Sequence, residues 1–298
     1  MTINASSPST GITSCMLDAD TIARIALACA GVSGDPTVAV AIETFGGAAP
    51  FVAAVHDGRD AAAALSPLTR QRVRAFARAS RVAAVLESMA QHHITVLSPL
   101  FLEWPTQLSA LRGAAPLVLF TRGDVATLTS PAIALTGTAA PTGFGIHLAL
   151  ELGTGLAARS WGIAAGSGSG IDQLALKAAR ATCGRTITVA AASLDAHACD
   201  TRFGGVWVSE LPPTAVVTVR SQRRGKHLLA AIAVKTILVE AGLSSGALRT
   251  VEAAHAMSRP VGVVLGPDGS PTSAGCRDLA VRHGLAPVAS IVDADRLR

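Results

Sequence analysis

After residue 93 the chain settles into a rhythm that few folds can accommodate: short apolar runs separated by segments of helix length. The runs cover residues 94–97, 117–120, 132–136, 162–165, 186–190, 206–208, 236–239 and 261–265, and are built mainly from Val, Ile, Leu and Ala. Runs that are apolar throughout, rather than alternating with polar residues, belong to strands buried on both faces. With amphipathic helices between them, they predict α/β architecture: a Rossmann-like, mostly parallel sheet with flanking helices. Residues 17–93 read as helices only. The first is capped by Asp20 and ends at Gly31, the second opens at Asp35-Pro36 and stops at Gly46, and a long third covers 67–91. The expected organisation is a disordered lead-in (1–16), a small all-helical domain (17–93) and a Rossmann-like domain (94–298).

No apolar stretch approaches the roughly 20 residues that span a bilayer. The Ser/Thr-rich start lacks the basic and apolar regions of a signal peptide. Five scattered cysteines (Cys15, Cys29, Cys183, Cys199, Cys276), with no C-x-x-C pair, argue against a disulfide framework and a structural zinc site. A reduced, cytoplasmic location without membrane contact is the expectation. His92-His93 has no convergent ligand set, so neither metal nor cofactor is expected. The net charge is +5, and all but Lys177, Lys226 and Lys235 of the 25 basic residues are arginine. Arginine forks suit phosphate, but GC-rich coding yields the same bias, so placement has to decide. Seven Phe, three Trp and no Tyr disfavour base-stacking platforms and leave backbone binding as the mode for a nucleic acid.

Three segments that follow apolar runs are rich in Gly and Ser: 137–145, 166–172 and 241–248. At the carboxyl edge of a parallel sheet such turns lead into helix N-termini and favour anions. Their candidate phosphate-binding residues are Gly137, Thr138 and Gly143 in the first, Gly166, Ser167, Gly168 and Gly170 in the second, and Ser245 and Gly246 in the third. Arg223, Arg224 and Lys226, in a basic cluster just before an apolar helix, would add charge. No G-x-x-x-x-G-K-[ST] is present, the second loop is G-x-G-x-G rather than G-x-G-x-x-G, and Gly168 occupies the place of an elbow nucleophile. Arg70, Arg74, Arg78 and Arg81 form a stripe at helical spacing, which reads first as a solvated face. Asp172 and Glu240 are readable as a catalytic acid pair, but helix capping for Asp172 and loop bracing for Glu240 are the simpler roles.

In order and spacing, Leu119-Phe120-Thr121-Arg122-Gly123-Asp124, the first Gly-rich loop, Gly170-Ile171-Asp172, Ser209-Glu210-Leu211-Pro212-Pro213, Val239-Glu240-Ala241 and Ser245-Gly246-Ala247-Leu248-Arg249-Thr250 resemble the DNA-processing protein A (DprA/Smf) family, over residues 17–288. The resemblance implies a non-enzymatic protein that binds and protects single-stranded DNA. It also implies dimerisation and assistance in loading a RecA-type recombinase during homologous recombination and natural transformation. Some members carry a C-terminal winged helix, which a chain ending at Arg298 is expected to lack. The chain departs from the family pattern at three points. Gly137-Thr138-Ala139 stands for G-S/T-R, Leu176 for a histidine, and Gly225-Lys226-His227 for R-N-R. An altered pocket leaves room for a nucleotide-sensing module. It also admits a hydrolase similar to the phosphoribohydrolases that activate cytokinins, although 244–250 lacks the acid of their P-G-G-x-G-T-x-x-E segment.

Overall fold

The computed structural model describes residues 17–58 and 65–298, so the expected lead-in lies outside the described residues. Five helices open it: α1 (Ala19–Cys29), α2 (Pro36–Thr44), α3 (Ala48–His56), α4 (Pro67–Phe76) and α5 (Ala79–Gln91). Asp35 caps α2 and proline holds its first turn, as expected. The cap of α1 is Asp18, whose Oδ1 accepts from the Thr21 N–H at 2.7 Å, and not Asp20. Asp20 instead reaches across to the start of α3, where it accepts from the backbone N–H groups of Ala48 and Ala49 and from Arg24 Nε. The residue before α3 is Gly47, which has no side chain to cap with. A helix capped from another helix carries no start signal of its own, and the periodicity gave no sign of α3.

The expected long helix over 67–91 is two helices, because Ala77 (ψ 60°) and Arg78 (ψ 145°) leave helical geometry. Val73 and Val82 are both buried. Nine residues apart on one continuous helix, they would point about 180° away from each other. The break turns both into the same core. It also divides the arginine stripe: Arg70 and Arg74 donate to the carbonyls of Leu65 and Val55, Arg78 becomes the N-cap of α5, and Arg81 lies over the Phe76 ring.

Nine strands follow: β1 (Thr95–Leu97), β2 (Leu119–Gly123), β3 (Ala132–Thr136), β4 (Gly162–Gly166), β5 (Thr186–Val189), β6 (Val206–Ser209), β7 (Lys235–Leu238), β8 (Val261–Val263) and β9 (Ala286–Pro287). They make one sheet in the order β1-β2-β6-β5-β4-β3-β7-β8-β9. From β6 to β9 every pairing is parallel, whereas β1–β2 and β2–β6 are antiparallel. A parallel neighbour needs a crossover of a dozen or more residues. The β1–β2 connection carries Pro99, Pro105 and Pro116 and holds a 3₁₀ helix (Thr106–Ala114) in place of the α-helix usual in a parallel crossover.

Helices α6 (Gly143–Ala158), α7 (Ile171–Ala181), α8 (Val219–Ile232), α9 (Leu248–Ala256), α10 (Ala274–His283) and α11 (Ile291–Arg296) complete the fold. Alternation along β3 assigns the two faces. Ile133 and Leu135 join a cluster with Leu152 and Leu156 of α6 and Ala175 of α7, whereas Ala132 and Ala134 join Leu228, Leu229 and Ile232 of α8. Alanine on that second face lets α8 sit close. A third cluster unites α1–α5 with Val96, Phe120 and Ala190, so the helical region packs on the antiparallel end of the sheet.

Burial raises the pKa of the Asp20 carboxyl, but its bonds to Arg24, Ala49 and Ala48 outweigh this and hold it below the ordinary value of 3.8. A depressed carboxylate stabilises the fold above its unfolded pKa and loses that contribution as pH falls through the folded one. Asp20→Ala is therefore expected to cost about 1 kcal/mol at neutral pH. In thermal melts the gap to wild type should close toward strongly acidic pH.

Candidate functional site

Strands β3 to β6 advance across the sheet in one direction, and β7 then returns to the other side of β3. The crevice outside the carboxyl ends of β3 and β7 is therefore the topological switch point, the usual ligand position in open parallel sheets. The three Gly-rich loops follow β3, β4 and β7, which are neighbours, so all three lie along one edge as expected.

Glu240, with no exposed surface, fills the switch point itself. Its Oε2 accepts from the Thr142 N–H and its Oε1 from the Thr142 hydroxyl, both at 2.9 Å. Its own carbonyl accepts from the Thr138 N–H at 2.6 Å. Thr142 in turn caps α6. Gly137 packs on the Glu240 carbonyl and on Ile171, and a Cβ at Gly145 would overlap the Glu240 carboxylate. An intrinsic carboxylate thus sits at the α6 N-terminus, where helix charge favours an anion. The expectation for the first loop changes accordingly. The Thr138 N–H is already committed and Gly137 is a packing glycine, while Gly143, with open space around it, remains exposed at the first helical position. Glu240 braces the loop, as read from the sequence.

The second loop is open. Ser167, Gly168 and Ser169 are exposed, although the Ser167 N–H is used by the Val189 carbonyl. Gly170 (φ 77°) packs against Thr138 and Ala139, an approach that no side chain permits. It is the N-cap of α7 and offers no side-chain cap. The first N–H groups of a helix have no partner within it. The Ile171 N–H goes to the Thr138 carbonyl, leaving those of Asp172 and Gln173 at the uncapped end.

Asp172 does not cap α7; this corrects the capping role expected for it. It lies in the first turn with its side chain buried beneath the second loop, flanked by Lys226, Thr136 and Gly166, and its Oδ1 lacks a hydrogen-bond partner among the described residues. Burial pushes its pKa up, and the Lys226 ammonium opposes the rise. Gly166 lies against both side chains: a Cβ there would stand 3.8 Å from Lys226 Nζ, an ordinary contact, and 3.3 Å from Asp172 Oδ2, a tight one.

The basic cluster does not precede its helix but forms the first half of α8, and the helix distributes the charges by face. Arg220, Arg223 and His227 are exposed, and Lys226 turns toward the second loop. Arg224 turns the other way. Its Nε and Nη2 grip Glu210 at 2.5 and 2.8 Å, and Nη2 also donates to the Ala114 carbonyl while the guanidinium lies against Gly34. Burial raises the Glu210 pKa and Arg224 counters it. The expected phosphate contact at Arg224 is thus occupied by an internal bidentate pair. In the third loop the Ser245 hydroxyl accepts from the Ala247 N–H, and Gly246 is exposed with open space around it. Gly166 and Asp172 belong to one loop, and Lys226, far from them in the chain, is the residue whose arrival there nothing in the sequence signalled.

No cluster of three or more His, Cys, Asp or Glu side chains comes together among the described residues. No single described helix is long and apolar enough to cross a membrane.

Residues 94–294 match the model of the family described as DNA recombination-mediator protein A. A putative DNA processing protein DprA of Mycobacterium tuberculosis is 35% identical over 224 residues, covering 68% of this chain and 57% of that protein. The chain therefore spans little more than half the length of that relative. The X-ray structure of DNA processing protein A from Streptococcus pneumoniae superposes with a TM-score of 0.77 at 22% identity, over 95% of this chain and 99% of that one. A structure of the Helicobacter pylori protein, described for its single-stranded DNA binding mode, gives 0.59 at 21% identity, over 67% and 93%.

Two expectations follow from this geometry. Arg224→Ala leaves Glu210 buried and unpaired, so it should cost about 3 kcal/mol in denaturant melts, whereas Arg223→Ala, on the exposed face, should leave stability unchanged. The raised Asp172 pKa means that the charged form opposes folding at neutral pH. Asp172→Asn should therefore raise the melting temperature at pH 7, and the gain should fade toward pH 3, where both side chains are neutral.

Proposed function

We propose a function from one premise: the chain belongs to the DNA recombination-mediator protein A (DprA/Smf) family. Single-stranded DNA is the ligand, and its sugar-phosphate backbone lies along the carboxyl edge of the sheet. The observation that carries this reading is the exposed Ser167-Gly168-Ser169 loop at the uncapped N-terminus of α7, with Lys226 beside it. Free helix N–H groups and an adjacent ammonium match a phosphate oxygen in charge and in hydrogen-bond donors. Gly143 at the start of α6 and Gly246 in the third loop continue the edge past β3 and β7. Arg223 adds exposed positive charge on α8.

The switch-point carboxylate sets the path. Phosphate is repelled from the crevice that Glu240 fills and is drawn toward the second loop and α8. This division suits a polymer that lies across an edge better than a nucleotide buried between β3 and β7. The few aromatic side chains favour contact with the backbone over base stacking, and so weak sequence preference. In this role the protein works without a cofactor and catalyses no reaction. It shields incoming or recombining single strands in the cytoplasm, as a homodimer, and passes them to a RecA-type recombinase in natural transformation.

Fluorescence anisotropy of labelled oligonucleotides over a salt series tests the binding. Single strands should bind more tightly than duplex, and Lys226→Ala and Arg223→Ala should each weaken binding while reducing the salt slope by about 0.7. Absence of binding to either form at low salt, or turnover of nucleoside monophosphates, would overturn the reading.

A further inference from the structure

A separate cavity of about 640 Å³ opens where the helical region meets the sheet. It lies beyond the carboxyl ends of β5 and β6, on the side of α8 that faces α1, α4 and α5, and includes none of the three Gly-rich loops. Arg72, Arg81, Arg220 and Arg224 line it, with Glu210 as the one carboxylate among the lining residues. Arg224 and Glu210 pair with each other, which leaves Arg72, Arg81 and Arg220 without an ion pair of their own among the described residues. Arg72 is half-buried, and neither it nor Arg220 has an ion-pair partner among the described residues. The rest of the wall is apolar or weakly polar: the Phe76 ring, which carries Arg81 at 4.7 Å, with Cys29, Leu211 and Pro212.

Charge and shape together define the ligand. A simple inorganic ion would leave most of this volume empty, which falls in the range of pockets for organic ligands. A neutral or apolar molecule would leave the three arginines that line the cavity without an anion. Guanidinium forks pair best with phosphate or carboxylate oxygens, and aromatic and proline surfaces suit a flat, weakly polar ring. We propose that this cavity is a second binding site, for a single nucleotide: a phosphate ester held by Arg72, Arg81 and Arg220, with its base against Phe76 and Pro212. Two sources carry that chemistry, a free nucleoside phosphate and the terminal nucleotide of a DNA strand. Because the walls come from both α4–α5 and the sheet, occupancy adds to the contacts that hold the helical region on the α/β region, among them the shared core, the Leu117 N–H bond to the Ser33 hydroxyl and the packing of Arg224 against Gly34.

The test is titration calorimetry of the full chain with AMP, ATP, inorganic phosphate and a 5′-phosphorylated oligonucleotide beside its unphosphorylated form. Amide hydrogen exchange on the wild-type protein provides a readout independent of any variant. AMP or ATP should bind, with exchange slowed in 72–81 and 209–221, and the Arg72→Gln/Arg81→Gln variant should bind at least about tenfold more weakly. If only the 5′-phosphorylated oligonucleotide slows exchange there, the strand end is the source. Three results overturn the proposal: no binding by any nucleotide, inorganic phosphate binding as tightly as AMP, or protection confined to 137–145 and 166–172. The last would place the nucleotide at the loop edge, and it is distinct from a failure of single-strand binding, which the anisotropy series reads separately.

Discussion

A carboxylate with no exposed surface stands where the chain reverses its direction of travel across the sheet, and the geometry of the functional edge depends on it. Glu240 accepts two hydrogen bonds from Thr142 and, through its carbonyl, one from Thr138. A buried carboxylate is tolerable only where donors are fixed around it. Here the donors belong to the loop that starts α6, so the end of β7 fixes where that loop lies. The second loop then stacks on the first through Ile171 and Thr138 and through the close approach of Gly170. Three loops from three strands become one surface because each is bonded to its neighbour.

That arrangement also divides an edge rich in glycine into a closed part and an open one. Several of its glycines serve packing: Gly137 against Glu240 and Ile171, Gly145 against the Glu240 carboxylate, Gly170 against Thr138. The anion position at α6 is filled from within. What stays open is the loop after β4 and the uncapped start of α7, where Lys226 supplies the charge and Asp172 lies beneath it. Where the family pattern reads G-S/T-R the chain has Ala139, and Lys226, beside the open loop, belongs to α8.

Helix α8 borders both halves of the molecule, with its Arg224 lying against Gly34 of the helical region. Arg224 fastens it to Glu210 beyond β6 and to the Ala114 carbonyl, while Lys226, two residues on and about 200° round the helix, reaches the sheet edge. Between α8 and the opening helices lies the arginine-lined cavity, so a single helix borders both candidate sites. Its alanine-paved contact with β3 and β4 keeps it close enough for both to form.

Much of the α/β region was legible because burial on both faces writes itself into the sequence: eight apolar runs became β1 to β8 within a few residues, and only the two-residue β9 escaped. The Gly-rich loops were also readable, since strand order in a parallel sheet sends them to one edge. The opening helices were legible where they carry their own caps, as at Asp35-Pro36, and not where a cap came from elsewhere, as with Asp20 and α3. Linear spacing could not show the break at Ala77, because the reason for it is that Val73 and Val82 share a core. Nor could it sort Arg220, Arg223, Arg224 and Lys226, which are neighbours in the chain but face different surroundings. The sequence by itself determined which segments must be buried and where the chain must turn, because hydrophobic periodicity and backbone chemistry are local. The tertiary structure alone decided which charges meet a partner and which stay free, because a charge is satisfied by whatever lies within a few ångströms in space, not along the chain.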